Sequence, residues 1–163
     1  MPLDLRDEPF DNPAATALIA AFAEEIASLY PGWTPATGPR ATAGDFAPPS
    51  GGFVVAYEGG RPVGCGGVKS LDGRDAEVKR LYVAPEARGR GVARAILSRL
   101  EEVAAATGHA IVRLDTGDRL PGALALFRSA GYGEIDDYNG NPVASYWLEK
   151  PLTRPPGDPA SGR

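Results

Sequence analysis

The sequence predicts an α+β domain with a mixed, mostly antiparallel sheet flanked by helices. Three observations carry this reading. FVVAY (53–57), PVGCGGVKS (62–70) and AEVKRLYV (76–83) follow one another across the turn clusters EGGR and LDGRD, as antiparallel hairpins do. VARAILSRLEEVAAA (92–106) repeats apolar residues at helical spacing and leads into a further strand, HAIVRLDT (109–116). That single strand–helix–strand unit, set among segregated hairpins, argues for a mixed sheet and against regular α/β alternation.

Residues 3–6 alternate Leu3, Asp4, Leu5, Arg6, a short period-two signal. DNP at 11–13 supplies a capping side chain followed by a first-turn proline, and Leu18, Ala21, Phe22, Ile26 and Leu29 then mark one face of a helix over 13–30. PGW stops it, and Pro31 to Gly52, rich in Pro, Gly, Ala and Thr without periodicity, reads as a long loop. In the following helix Val92, Ile96, Leu97, Leu100, Val103 and Ala104 share a face, and Gly108 can end it. A further helix starts near Asp118 with Pro121 in its first turn, turns Leu124 and Phe127 inward and stops at Gly131. VASYWLEK (143–150) is the last strand, which makes six in all.

A chain of 163 residues holds one domain with a real core, here expected over 1–152, with a disordered tail over 153–163. Forty-three per cent hydrophobic and 23 per cent charged residues place it among soluble globular proteins. A net charge of −4 opposes a general nucleic-acid surface, because such affinity comes from cations meeting phosphates. Cys65 alone can form no internal disulfide, and with His109 as the single histidine there is no Cys/His zinc set, so no metal is expected. The opening MPLDLRDEPF lacks the basic and apolar order of a signal peptide, and no apolar run is long enough to span a bilayer. The expectation is a cytoplasmic protein without membrane or nucleic-acid partners.

The chemistry concentrates in RGRGVARAIL (88–97), between a strand and a helix. Backbone N–H groups at a helix start have no internal partners and carry the positive end of the macrodipole. Gly89 and Gly91 let a ligand approach the backbone, and Arg88, Arg90 and Arg94 add charge, so a pyrophosphate suits the loop. A flexible, soluble connection is the plainer alternative. It is not a P-loop, since Val92 and Ala93 follow Gly91 where Lys and Ser/Thr would be needed. Nor is it a dinucleotide fingerprint, whose third glycine would fall on Arg94. What stands is R-x-x-G-x-A, spelled Arg88, Gly89, Arg90, Gly91, Val92, Ala93, after LYVAPEA.

This loop resembles the acyl-coenzyme A pyrophosphate loop of the GNAT N-acetyltransferase superfamily. KRLYVAPEARGRGVARAIL, LDTGDRLPGALALFRSAGY and the closing YWLEK resemble that family's successive segments, firmly over about 52–150. The resemblance implies a sheet splayed between its fourth and fifth strands with acetyl-CoA as co-substrate wedged in the gap. It assigns Leu81, Tyr82 and Val83 to the pantetheine arm, and an amine, on a small molecule or a protein, as acceptor by direct attack in a ternary complex. An acyl-CoA-binding domain with a regulatory role and little catalysis is the alternative. Oligomeric state stays open between monomer and homodimer.

The same resemblance points to Glu77, 11 residues before Arg88, as the base that deprotonates the amine. Strand alternation would place it on one face with Lys79, Leu81 and Val83. The helix position where many members carry a proton-donating tyrosine is Phe127, grouped here with the coenzyme-binding residues, and Leu120 replaces a frequent asparagine. A thiolate, whose thiol pKa is near 8.5, can leave without a dedicated acid, or Tyr132, Tyr138 or water could substitute as proton donor. Cys65 reads as a small core residue and His109 as an exposed strand-start residue. Glu24, Glu25, Asp136 and Asp137 read as solvated, while Trp33 and Phe46 either shape an acceptor site or cover the core.

Overall fold

The computed structural model describes residues 2–37 and 41–153, so nearly all of the expected tail lies outside the described residues. The chain order is β1 (Leu3–Asp7), α1 (Pro13–Leu29), β2 (Gly52–Glu58), β3 (Arg61–Ser70), β4 (Asp75–Val83), α2 (Val92–Ala106), β5 (Ile111–Thr116), α3 (Pro121–Ser129), β6 (Gly133–Ile135) and β7 (Tyr146–Pro151). The seven strands form one sheet in the order β1-β2-β3-β4-β5-β7-β6. Every neighbouring pair is antiparallel except β4–β5.

Local chemistry starts the helices as expected. Asn12 caps α1 by accepting from Ala15 N at 2.8 Å, with Pro13 at the first helical position. The apolar face of α2, led by Ile96, Leu97 and Leu100, packs on one side of the sheet against Val54, Val68, Ala76, Val112 and Leu114. On the other side Ala15 and Leu18 of α1 join Phe46, Phe53, Val55 and Tyr82. Within the long loop a short 3-10 turn, Ala43–Phe46, seats Phe46 5.9 Å from the Phe53 ring. Gly67 leaves the space for this pair, because a Cβ there would stand 2.6 Å from Phe46 Cδ1.

The sheet opens where the site lies. β4 and β5 pair only from Asp75–Glu77 to Ile111–Arg113, after which β4 keeps β3 as far as Val83 and β5 keeps β7 as far as Thr116. From Val78 onward the two central strands part.

Four sequence expectations are corrected. A seventh strand, β6, is present, too short at three residues to show a period. β7 begins at Tyr146, with Val143 and Ala144 in a turn before it. The alternation along β4 fails: β3 advances two residues from Cys65 to Gly67 while β4 spans three from Tyr82 to Lys79. The extra residue is a bulge around Arg80, which takes the left-handed φ of 59°. Leu81 and Val83 therefore join Ala76 and Val78 on the α2 side, and do not share a face with Glu77. His109 is 8% exposed, not solvated, with Nδ1 2.9 Å from Thr107 Oγ1 and 3.3 Å from Ala104 O at the end of α2.

Candidate active site

A cavity of about 1160 Å³ runs through the splay. Its walls are β4 from Val78 to Val83, Leu114–Thr116 of β5, the start of α2, one face of α1 and the start of α3. Of the residues singled out from sequence, Leu81, Tyr82, Val83, Arg88, Gly89, Gly91, Val92, Ala93, Arg94 and Phe127 all line it. Arg90 and Glu77 do not. Arg90 instead pairs with Glu58 at 2.7 Å.

At one end the cavity meets the N-terminus of α2. Gly89 and Gly91 have φ of 80° and 81°, which only glycine adopts without strain, and a Cβ on either would meet nothing within 4 Å. No side chain caps this helix, and Ala95 N makes the first internal bond, to Gly91 O at 3.0 Å. The first-turn N–H groups are thus available to an anion. Arg88 fastens the loop, donating from Nε to Val83 O at 2.8 Å and from Nη2 to Glu25 Oε1 at 2.7 Å. Arg94 hydrogen-bonds Ser129 on α3.

At the other end β4 and β5 carry a polar cluster that sequence reasoning reached only in part. Glu77, 2% exposed, accepts from Tyr138 Oη at 2.7 Å and from Asn139 Nδ2 at 3.0 Å, with Lys79 Nζ 3.7 Å away. The same Asn139 amide donates to Asp115 Oδ2 at 2.6 Å, and Asn141 Nδ2 donates to Asp115 Oδ1 at 3.2 Å. Asn139 is oriented in turn by Trp147 Nε1, which donates to its Oδ1 at 2.9 Å. Asp137 shapes the turn, accepting from Asn139 N and Gly140 N. Burial raises Asp115 above the usual carboxylate range, opposed by Asn139 and by the charge of Lys79. Burial, and then the Glu77 charge, push the Tyr138 phenol far above its ordinary value.

Sequence reasoning passed over Asp115, Asn139 and Asn141, because no local pattern joins β5 to a loop more than twenty residues later. Phe127, 5% exposed, lies 6.1 Å from the Tyr132 ring, and Tyr132 Oη donates to Glu101 Oε2 at 2.7 Å outside the cavity wall. Neither Tyr132 nor Tyr138 lines the cavity. Trp33 does, while Phe46 belongs to the core. Leu120 lines the cavity at the start of α3. Cys65 is fully buried and its thiol is pushed up to about 12 by burial. Among the described residues no group of three or more His, Cys, Asp or Glu could hold a metal ion, and no helix is long and apolar enough to cross a membrane.

Comparison with known proteins agrees with this geometry. Residues 18–132 match the sequence model of the acetyltransferase (GNAT) family. An IAA acetyltransferase of Azospirillum brasilense is 38% identical over 111 residues, 66% of this chain and 72% of that protein. An uncharacterised N-acetyltransferase of Schizosaccharomyces pombe is 34% identical over 100 residues, 60% of this chain and 61% of that protein. Among solved structures, a putative acyl-CoA N-acyltransferase of Klebsiella pneumoniae superposes with a TM-score of 0.74 at 25% identity, covering 93% of this chain and 98% of that one. A GNAT family acetyltransferase of Elizabethkingia anophelis with acetyl-CoA bound has the same fold, with a TM-score of 0.64 at 15% identity over 92% and 98% of the two chains.

Proposed function

The chain belongs to the GNAT family of acetyl-CoA-dependent N-acetyltransferases, and from that premise we propose that it transfers acetyl from acetyl-CoA to a primary amine by direct attack in a ternary complex. One observation carries the reading. A single cavity joins an uncapped, glycine-opened helix N-terminus to a cluster of carboxylates, and it passes along the edge of β4 that β5 has left unpaired.

The pyrophosphate rests on the Gly89–Arg94 loop, where backbone N–H groups, the dipole of α2 and the charges of Arg88 and Arg94 converge. Leu81, Tyr82 and Val83 line the stretch of β4 that β5 leaves unpaired and flank the pantetheine arm there, the Val83 carbonyl being already held by Arg88 Nε. A donor on this edge facing the thioester oxygen would stabilise the negative charge that develops there, often a large catalytic effect. Phe127 packs against the arm and holds no proton to give. The thiolate therefore leaves unassisted or toward water, which its ordinary pKa of about 8.5 permits.

An amine with a pKa near 10 arrives protonated at neutral pH and must lose a proton before it can attack. That proton goes to the carboxylate cluster that Glu77 anchors, at the acceptor end of the cavity. Direct attack needs no enzyme nucleophile, and Cys65, buried with a raised thiol pKa, is not one. Trp33, Asn141, Val143 and Ala144 line the same cavity and are the residues we assign to the acceptor's path.

The test is calorimetric titration with acetyl-CoA, with NAD and ATP as controls. It is followed by thiol release in the presence of tyramine, spermidine, L-lysine, glycine and a peptide with a free N-terminus. Saturable binding of acetyl-CoA alone, with amine-dependent thiol release, is expected. A folded protein that binds no acetyl-CoA would overturn the reading.

A further inference from the structure

We propose that Asp115, and not Glu77, is the carboxylate that meets the acceptor amine and takes its proton, with Glu77 acting behind it as a positioning residue. The inference rests on the acetyltransferase reading and concerns the acceptor end of the same cavity.

Access separates the two acids. Asp115 lines the cavity, whereas Glu77 is 2% exposed and is absent from the wall. Glu77 is covered on its open side by Tyr138 and Asn139, which occupy Oε2, and by Lys79 near Oε1. An amine could reach it only after displacing these groups. Asp115 stands on β5 two residues past the last β4–β5 pairing, Glu77 with Arg113, so it faces the gap that opens there.

The surroundings of Asp115 are those of a prepared base. One amide holds each of its oxygens, from Asn139 and Asn141, which fixes the carboxylate plane while leaving lone pairs for the amine. The Asn139 amide spans both acids, so Glu77 and Asp115 form a unit with one shared donor. The charged and titratable groups facing Asp115 are Lys79 and Glu77 from β4 and Tyr138 from the covering loop, itself under the Arg113 guanidinium at 5.6 Å. The Glu77 charge raises the proton affinity of Asp115 and Lys79 lowers it, so Glu77 tunes the acid in front of it.

The ammonium gives one proton to an Asp115 oxygen, and the freed nitrogen lone pair forms the C–N bond at the thioester carbonyl carbon. The tetrahedral adduct collapses with breakage of the C–S bond. As the amide forms, the nitrogen releases its excess proton, which passes through water to the coenzyme A thiolate, leaving a neutral amide and free coenzyme A. Asp115 then returns its proton to solvent.

Two measurements test this on the full chain. In the first, side-chain carboxyl 13C resonances are followed with pH. Asp115 should titrate above the usual aspartate range, with its midpoint falling in Glu77→Gln. An ordinary midpoint, or one indifferent to that substitution, would overturn the assignment. In the second, thiol release is measured with an alkylamine, spermidine or tyramine, and with hydroxylamine, which is already neutral at pH 7. Asp115→Asn should lose about 100-fold or more of kcat/KM with the alkylamine, but no more than about fivefold with hydroxylamine, which needs no base. Glu77→Gln should keep most of the alkaline plateau and shift the acid limb to lower pH. Equal losses with both acceptors would show a structural role, a full loss in Glu77→Gln with Asp115→Asn active would return the base to Glu77, and no turnover of any alkylamine by acetyl-CoA-bound wild type would also refute the proposal. Acetyl-CoA titration of each protein separates these outcomes from failure of the acetyltransferase reading, because Asp115→Asn should leave that affinity within about twofold.

Discussion

Gly91→Glu separates the coenzyme site from the scaffold that carries it. The left-handed φ of 81° makes any side chain strained there, by about 1–2 kcal/mol. A glutamate at the start of α2 regains about 0.3–1 kcal/mol from the helix dipole, and its Cβ meets nothing within 4 Å. The variant should therefore fold, with a stability loss near 1 kcal/mol. Binding is a different matter, since the new carboxylate occupies the open space in front of the first-turn N–H groups, where the pyrophosphate would rest. Two unit charges about 4 Å apart repel by about 1 kcal/mol in water and about 4 kcal/mol at the effective dielectric of a partly buried site. More than one phosphate charge is involved, so a loss of about 2–4 kcal/mol follows, roughly 30- to 1000-fold in Kd. Calorimetric titration of acetyl-CoA against wild type, Gly91→Glu and Gly91→Ala reads this directly, the alanine variant isolating the backbone strain. A folded Gly91→Glu protein that keeps its affinity within twofold would refute the placement of the pyrophosphate.

Other outcomes follow from packing and burial. Leu100→Ala removes a fully buried side chain at the centre of the α2 face and should cost about 2–5 kcal/mol, lowering Tm by roughly 5–15 °C in a thermal melt; a change under 1 kcal/mol would contradict the core assignment. Cys65, buried with its thiol pushed up to about 12, should stay unreactive toward a thiol reagent at pH 8 and react at once in denaturant; rapid labelling of folded protein would show the β3 interior to be open. Gly117→Ala would drive a methyl into the Tyr30 hydroxyl, which accepts from Arg119 N at 2.8 Å and ties the end of α1 to the loop after β5. A loss of about 1–3 kcal/mol is expected, and an unchanged melt would mean that Tyr30 does not hold this position.

What could be read from the sequence followed the range of its signals. Asn12 and Pro13 start α1, Gly108 follows α2, and RGRGVA carries its own backbone logic, so these were legible from neighbours along the chain. Legibility fell where the structure depends on distant pairing. β6 has three residues and exists because β7 offers Glu149 to Trp147 as a partner edge. His109 lost its exposure because α2 ends beside it and supplies Ala104 O and Thr107 Oγ1. At the site, Glu77 was within reach because it shares a strand with the glycine loop. Asp115, Asn139 and Trp147 come from three other segments and meet only in the folded chain.

The bulge at Arg80 connects these two halves. With plain alternation, Leu81 and Val83 would fall on the face of Glu77 and Lys79, and the α2 side would lose two apolar contacts beside Ile96 and Leu100. The inserted residue exchanges the faces shortly after β4 leaves β5, whose last pairing is at Glu77. Before it, the strand presents Glu77 and Lys79 to the polar cluster; after it, the strand returns Leu81 and Val83 to the α2 core and keeps Tyr82 under α1, 5.6 Å from the Phe22 ring. The left-handed φ at Arg80 costs about 1–2 kcal/mol, and burying side chains of the size of Leu81 and Val83 returns about 1.5–3 kcal/mol each when complete. The strain is thus offset by packing on the α2 side, and the opposite face is left to Glu77 and Lys79, where the carboxylates stand at the opening of the sheet.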